Sequence, residues 1–151
     1  MRRQHFFWWT AAAGLICDQV TKWLAMTQLS RVDTIALWTE VFHLTYRVND
    51  GAAWGILAGQ SHWLRWISLF ASFGIVGWVL RHPRLSPWEQ VSFGLILAGA
   101  AGNGFDRFYH GYVIDFFDLR LVRFPVFNVA DVCISLGFGI LMVTILMAPT
   151  E

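Results

Sequence analysis

The chain has 151 residues, of which 56% are hydrophobic, 17% aromatic and only 14% charged. Soluble domains are about 45–50% apolar and about 25% charged, so this composition indicates a membrane protein and excludes a large soluble domain. The formal net charge is +1 without any long run of Lys or Arg, so the basic surface that binds nucleic acid is also excluded. At about 20 apolar residues per crossing, the length allows one domain with four transmembrane helices.

The first predicted span covers residues 6–26 and would be roughly 31 Å long as a helix. Because Arg2 and Arg3 precede an apolar run, this segment also resembles a secretory signal peptide. The sequence that ends at Cys17 likewise resembles a lipidation motif, but Ile16 stands where that motif requires a small residue. We therefore expect the first span to be retained.

Three more apolar blocks predict three more spans. In the third span, Gly94, Ala98 and Gly102 recur every four residues, and such a small-residue face lets another helix approach closely. Four crossings place both termini on one side of the membrane, and the basic flank of the first helix favours the cytoplasmic side. The predicted spans are residues 6–26, 63–80, 88–108 and 127–147.

The two long connections, residues 27–62 and 109–126, then lie together on the extracytoplasmic side. Apolar and polar residues alternate along Phe42–Asn49 and along Gly111–Asp118, and a period of two predicts strands. The expected fold is therefore an all-α polytopic membrane protein in which these strands form a small extracytoplasmic β-structure. Cys17 lies in an apolar run, as does Cys133, and no disulfide is expected.

Polar residues from distant segments meet at one depth in this arrangement. A charged group within a span is costly unless it is paired or faces water, so each of them requires an explanation. They lie at the ends of the first and third spans, in the second long connection and at the start of the fourth span. They are Asp18, Lys22, Asn103, Asp106, Arg107, Asp115, Asn128 and Asp131.

Structural explanations exist for several of these residues. Asp18 and Lys22 are spaced i,i+4 and would form an ion pair on one helix face. Asp106 and Arg107 are adjacent in sequence, so they do not face each other, and each must contact a different neighbour. His110 has no second histidine at ligand spacing, so no metal site is expected.

Asp131 has two competing explanations, helix capping and catalysis. Asn128 followed by Asp131 is typical of a capping box at a helix start. Asp115 shares the face of its predicted strand with Val113 and Phe117, which places an acid in apolar surroundings. Two carboxylates held close together share one proton, so that one can activate water while the other protonates a carbonyl, as in aspartic proteases.

Five short motifs containing these residues occur in order along most of the chain. Together they resemble the bacterial lipoprotein signal peptidase family, signal peptidase II. Two departures from that family are small: Trp54 stands where Phe is frequent, and Val48 separates Arg47 from Asn49 where an Arg-Asn pair is common. The motifs are Asp18-Gln19-x-x-Lys22, Asn49-x-Gly51-Ala52-Ala53-Trp54-Gly55, Gly102-Asn103-x-x-Asp106-Arg107, Gly111-Tyr112-Val113-x-Asp115-Phe116 and Phe124-Pro125-x-Phe127-Asn128-x-Ala130-Asp131.

The resemblance implies an aspartic endopeptidase of the bacterial cytoplasmic (inner) membrane, with its active site towards the extracytoplasmic face. Its substrate would be a prolipoprotein already carrying diacylglycerol, cut on the N-terminal side of the lipidated Cys, and membrane phospholipid would surround it. No cofactor is implied. Asp115 and Asp131 would be the catalytic pair. Asp106 is expected to be structural, on the ground of its position beside Arg107. The residues implied to bind substrate or support the site are Asp18, Lys22, Asn49, Gly51, Trp54, Asn103, Arg107, Asn128 and Ala130.

Two other functions fit the composition. A proton-coupled transporter or channel subunit would also place carboxylates among helices, but these acids cluster at one end of the helices and no inverted repeat is visible. A purely structural membrane subunit would leave the carboxylate pair unexplained. For a peptidase, the small-residue face of the third span and the loop at residues 49–59 are expected to admit an extended signal peptide.

The predicted topology can be tested by labelling introduced cysteines in spheroplasts. With both termini cytoplasmic, Asp33→Cys should be labelled from outside and Arg84→Cys should not. The reverse pattern would invert the orientation.

Overall fold

The computed structural model describes residues 4–51, 59–122 and 124–147. In these residues four helices enclose a common core, and a three-stranded sheet lies at one end of them. The helices are α1 (His5–Gln28), α2 (Ser61–Arg81), α3 (Pro87–Tyr109) and α4 (Val129–Leu146), with a short 3-10 turn at Leu29–Arg31. The strands are β1 (Thr34–Trp38), β2 (Phe42–Asn49) and β3 (Val113–Leu119).

Each of the four predicted spans coincides with one of the four helices to within two residues at either end. Among the described residues, α2 and α4 are long and apolar enough to cross a membrane on length and composition alone. The other two carry the charged residues of the predicted polar cluster, with Asp18 and Lys22 in α1 and Asp106 and Arg107 in α3. All four of these side chains are buried in the protein.

Helix α3 lies in the middle of the bundle and packs against each of the other three helices. Its small-residue face packs against α1: a Cβ on Gly94 would lie 2.7 Å from the Phe7 carbonyl oxygen, and a Cβ on Gly14 would lie 2.8 Å from the Cβ of Ala98. The predicted close approach of another helix is therefore confirmed. The expectation that this face admits the substrate is wrong, because α1 already covers it.

The sheet is antiparallel, with strand order β1-β2-β3. Both predicted strands are present and pair with each other, with Arg47 opposite Asp115 after an irregularity in the register. Strand β1 was not predicted. It is a five-residue edge strand whose residues are mostly exposed, so its sequence need not alternate between apolar and polar residues. In β3, residues 113–116 are all buried, because both sides of this part of the strand are covered.

The sheet is attached to the bundle by an apolar cluster at the end of α1. Ala25 of α1 and Leu29 of the following turn pack with Ile114 and Phe116 of β3. This contact fixes the strand that contains Asp115 relative to the helix that contains Asp18 and Lys22.

The contact between α3 and α4 depends on Gly99. A Cβ at this position would lie 2.5 Å from Cγ1 of Ile134 and closer still to the carbonyl oxygen of Ala130. We expect Gly99→Ala to force the helices apart and to destabilise the protein by roughly 1–3 kcal/mol. Gly74→Ala is the matched control, since nothing lies within 4 Å of a Cβ there. Thermal unfolding in detergent is the measurement, and equal melting temperatures for the two variants would contradict this packing.

Candidate active site

A buried cation lies at the centre of the polar cluster. The Lys22 ammonium is 2.9 Å from Oδ2 of Asp18 and 2.9 Å from Oδ2 of Asp106, and it donates to Oδ1 of Asn103 at 3.0 Å. The side chains of Lys22, Asp18 and Asp106 are 2%, 0% and 1% exposed. Buried charges are tolerated when they are paired and hydrogen-bonded, as these are. The predicted i,i+4 ion pair is present and extends to a second helix.

This network joins four elements of the fold. Asp18 on α1 accepts a hydrogen bond from the backbone N–H of Ala130 at 2.8 Å, which satisfies one of the free amides in the first turn of α4. Asp106 on α3 accepts from the backbone N–H of Ile114 in β3 at 3.3 Å. Gln19 donates to both carboxylates, at 3.1 Å to each. The helices and the strand that carry the candidate catalytic acids are therefore held by one set of bonds.

Arg107 contacts a different neighbour from Asp106, as its adjacent position requires. Its guanidinium donates to the Gly51 carbonyl oxygen at 3.0 Å and to the Asn103 carbonyl oxygen at 3.3 Å. It thereby holds Gly51, two residues after the end of β2. The structure places Gly51 here, whereas Trp54 lies outside the described residues.

Two asparagine side chains connect the two candidate catalytic carboxylates, and a third binds Asp115. Asn103 donates to Oδ1 of Asp131 at 2.8 Å, and its own amide oxygen accepts from Asn128 at 3.1 Å. Asn128 also donates to Oδ1 of Asp115 at 2.7 Å, while Asn49 donates to Oδ2 of Asp115 at 2.8 Å. The acids therefore lie on either side of a continuous chain of side-chain amides.

The capping role of Asp131 is confirmed. Its backbone N–H donates to the Asn128 side chain at 3.0 Å, and its Oδ2 accepts from the backbone N–H of Asn128 at 3.1 Å, which completes a capping box. Capping and catalysis are not exclusive, because Oδ2 serves the cap while Oδ1 is the oxygen held by Asn103. The two explanations are therefore compatible in this geometry.

Asp115 is only 2% exposed, but its surroundings differ from those predicted. Val113 and Phe117 are its strand-face neighbours, yet both of its carboxylate oxygens accept hydrogen bonds from amide side chains. Burial raises the pKa of Asp115 to about 6, the Asn49 hydrogen bond opposes this rise, and the negative charge of Asp131 adds to it. This carboxyl group therefore keeps its proton to a higher pH than an exposed aspartate does.

Both carboxylates line one cavity of about 690 Å³. Asn49, Asn103 and Arg107 also line it, so the structure brings these predicted residues together with the acids. Asp18, Lys22, Asp106, Asn128 and Ala130 are not among its lining residues and support the site through the bonds given above.

Part of the cavity wall was not predicted. Ile67, Ser68 and Ala71 of α2 line it, but an apolar span gives no sign of which face borders a site. Arg47, to which the resemblance assigns no role, is exposed and also lines it. Among the described residues, no group of three or more His, Cys, Asp or Glu could hold a metal ion.

The comparison with known proteins identifies the family. The model of the family described as signal peptidase (SPase) II matches residues 10–147. The chain belongs to the signal peptidase II family. It is therefore a peptidase, as predicted, and the transporter and structural-subunit alternatives are wrong.

Relatives and solved structures agree with this assignment. Lipoprotein signal peptidase from Gloeobacter violaceus is 50% identical over 91% of this chain and 80% of its own length. The enzyme of the same name from Microcystis aeruginosa is 46% identical over 95% of this chain and 93% of its own length.

Two solved structures described as a bacterial membrane enzyme have the same fold. One has a TM-score of 0.85 at 30% identity and covers 94% of this chain and 91% of its own. The other has a TM-score of 0.82 at 31% identity and covers 93% of this chain and 92% of its own. The helical membrane-enzyme fold with a small sheet is thereby confirmed.

The environment of Asp115 predicts how its contribution to stability changes with pH. Since its pKa rises from the ordinary value of 3.8 to about 6 on folding, the folded state binds the proton more tightly. The contribution of Asp115 to the free energy of unfolding is then complete below about pH 4. It falls by on the order of 3 kcal/mol as the pH rises through about 6.

Asp115→Asn should remove this slope, because the amide stays neutral at every pH. The measurement is the melting temperature in detergent between pH 4 and pH 8. Any constant cost of the substitution cancels, because the slopes of the wild type and the variant are compared. Parallel slopes would show that Asp115 ionises with its ordinary pKa.

Proposed function

We propose that this chain removes the signal peptide from diacylglyceryl-modified prolipoproteins, cutting on the N-terminal side of the lipidated Cys, with Asp115 and Asp131 as the catalytic pair. One observation carries the assignment of the pair: both carboxylates line one cavity and are joined by amide side chains. Family membership supports the substrate, since the curated relatives carry the name lipoprotein signal peptidase.

The two acids divide the chemistry between them. Asp115, with its pKa raised to about 6, holds a proton and donates it to the oxygen of the scissile carbonyl. Asp131, at the start of α4, where the helix dipole stabilises negative charge, takes a proton from the attacking water. Water oxygen bonds to the carbonyl carbon, and the resulting tetrahedral intermediate collapses as the C–N bond breaks. The leaving nitrogen receives the proton that Asp131 took up, and one hydroxyl of the intermediate returns its proton to Asp115 as the carbonyl re-forms.

The remaining predicted residues act on this pair from behind the cavity or at its edge. Asn49 and Asn128 orient Asp115, and Asn103 orients Asp131. Asp18 holds the first turn of α4 through the Ala130 amide, and Lys22 holds Asp18 in place. We assign these two residues, and the structural Asp106, to support of the site. Arg107 and Gly51 position the start of the segment that contains Trp54, which is assigned to substrate contact.

All four helices are assigned as transmembrane spans of a single peptidase domain in residues 1–151. Of the charged side chains in α1 and α3, Asp18, Lys22, Asp106 and Arg107 are buried and Glu89 lies in the first turn of α3, so the middle of the outer surface of these helices is apolar. Trp9 is 75% exposed and Phe70 is 69% exposed, which suits contact with the acyl chains of membrane phospholipid. The protein is assigned to the bacterial cytoplasmic membrane, with both termini inside and the cavity towards the extracytoplasmic face. This chemistry requires no cofactor.

Mutation of the two acids tests the catalytic assignment. Asp115→Asn, Asp131→Asn and the double variant should each abolish cleavage to a similar extent, because residues that act as one unit are not additive. Activity is measured per amount of folded enzyme, since Asn at position 131 cannot accept both of the hydrogen bonds that the carboxylate accepts. Asp33→Asn is the matched control, because Asp33 is exposed and Asn tolerates its positive φ of 59°.

The assay uses a lipidated prolipoprotein as substrate. The same protein without its lipid is the control. Cleavage of the lipidated form alone is expected. A folded single variant that cleaves at the wild-type rate would remove that acid from the catalytic pair.

A further inference from the structure

Arg47 is a cation at the edge of the catalytic cavity that the proposed chemistry does not use. It lies near the end of β2, is exposed and lines the cavity. Within residues 4–51, 59–122 and 124–147, ion pairs are formed by Lys22 and Arg120, and Arg47 has no anionic partner. Its guanidinium is therefore available to an anionic group from outside the chain.

The pairing of β2 with β3 places Arg47 beside the reacting groups. Arg47 stands opposite Asp115 in the register, and Asn49, on the same face of β2, donates to Asp115 at 2.8 Å. Side chains directly opposite on antiparallel strands have Cβ atoms about 4.5–5.5 Å apart. Because an extended substrate advances by about 3.3 Å per residue, Arg47 can reach a side chain within about two residues of the cleaved bond.

The chemistry of the substrate determines on which side of the cleaved bond this side chain lies. The segment ahead of the bond is the apolar part of the signal peptide, where a charged group inside the membrane is costly. The residue directly after the bond is the lipidated Cys. The residue that follows this Cys is therefore the nearest one that can carry a charge, and in the proposed orientation it leaves on the side of the sheet.

The other charges of the cavity make Arg47 decisive for an acidic residue at that position. Asp50, Asp115 and Asp131 line the cavity and repel a carboxylate when they are ionised. Arg107 also lines it, but this residue is buried and its guanidinium already donates to two backbone carbonyl oxygens. Of the two arginines that line the cavity in the described part of the chain, Arg47 is the one whose guanidinium is free.

We propose that Arg47 is a specificity residue that binds an acidic side chain on the residue after the lipidated Cys, an inference that rests on the proposed function. Its planar guanidinium offers two parallel N–H donors to a carboxylate. The same group repels a basic side chain. The phosphate of a lipid headgroup is another anion at this depth, but the position of Arg47 on the wall of the catalytic cavity favours the substrate.

Charge reversal at position 47 tests this proposal. Three lipidated prolipoproteins are compared that differ only in the residue after the lipidated Cys, which is Asp, Asn or Lys. The wild type, Arg47→Gln and Arg47→Glu are assayed on each of them. Arg31→Glu is the matched control, because Arg31 is exposed, forms no ion pair in the described part of the chain and does not line the cavity.

The measurement is the ratio of kcat/KM for the Asp substrate to that for the Lys substrate. An effect of the substitution on Asp115, which lies opposite, acts on both substrates and cancels in this ratio. We expect the wild type to favour Asp by roughly fivefold, as a partly exposed charge pair does. Arg47→Gln should lower the ratio to about one or less, Arg47→Glu should reverse it, and Arg31→Glu should leave it unchanged.

The salt dependence of the preference provides a second readout. Because charges in contact with water are screened, the preference of the wild type for Asp should weaken in about 1 M salt. A preference that persists there, or that Arg31→Glu changes as much as Arg47→Glu does, would contradict a direct contact with Arg47.

The remaining failures are distinct. If the wild type cleaves none of the three substrates, the proposed function is wrong and this inference falls with it. If the wild type cleaves all three equally, or Arg47→Glu still favours Asp, the proposed function stands but Arg47 does not bind this residue. Equal losses on all three substrates that occur in vesicles of anionic phospholipid, and disappear in uncharged detergent, would assign Arg47 to lipid headgroups and overturn the proposal.

Discussion

The arrangement of the site depends on the buried ammonium of Lys22. It contacts a carboxylate from α1, a carboxylate from α3 and the side chain of Asn103. Moving charged groups out of water is costly. Inside the bundle, the contacts among these groups offset that cost. Because Asp18 also binds the Ala130 amide, the same contacts set the position of the first turn of α4 and therefore of Asp131. The ionic network thus determines where one of the two candidate catalytic groups lies.

The two candidate acids reach the cavity from different kinds of structure, and this difference has chemical consequences. Asp131 lies in the first turn of a helix, where backbone N–H groups and the helix dipole favour a negative charge. Asp115 lies in a covered strand, where burial favours the neutral acid and raises its pKa to about 6. An acid and a base can therefore coexist at one pH although both side chains are aspartates. Asn128 contacts both of them, so it also fixes their separation.

The sequence predicts the four helices, the pairing of β2 with β3, the Asp18–Lys22 ion pair and the cap at Asp131, because each depends on local spacing or composition. It does not predict β1, whose exposed edge position leaves no burial pattern. The resemblance places Asn49 and Asn128 at the site, but spacing alone does not show that Asn49 binds Asp115, because the two are 66 residues apart in sequence. The small-residue face of α3 was recognised, but its partner α1 was not, since spacing along one helix does not specify which surface packs against it.

A polar site within a membrane must satisfy its own hydrogen bonds and still admit water at the reacting bond. Here the network of Lys22, Asp18 and Asp106 is closed off from solvent, whereas Asp115 and Asp131 border a cavity. The wall of that cavity includes Ile67 and other residues of α2, together with Ser135 of α4. The closed network provides the fixed geometry, and the open cavity beside it provides the access that hydrolysis requires.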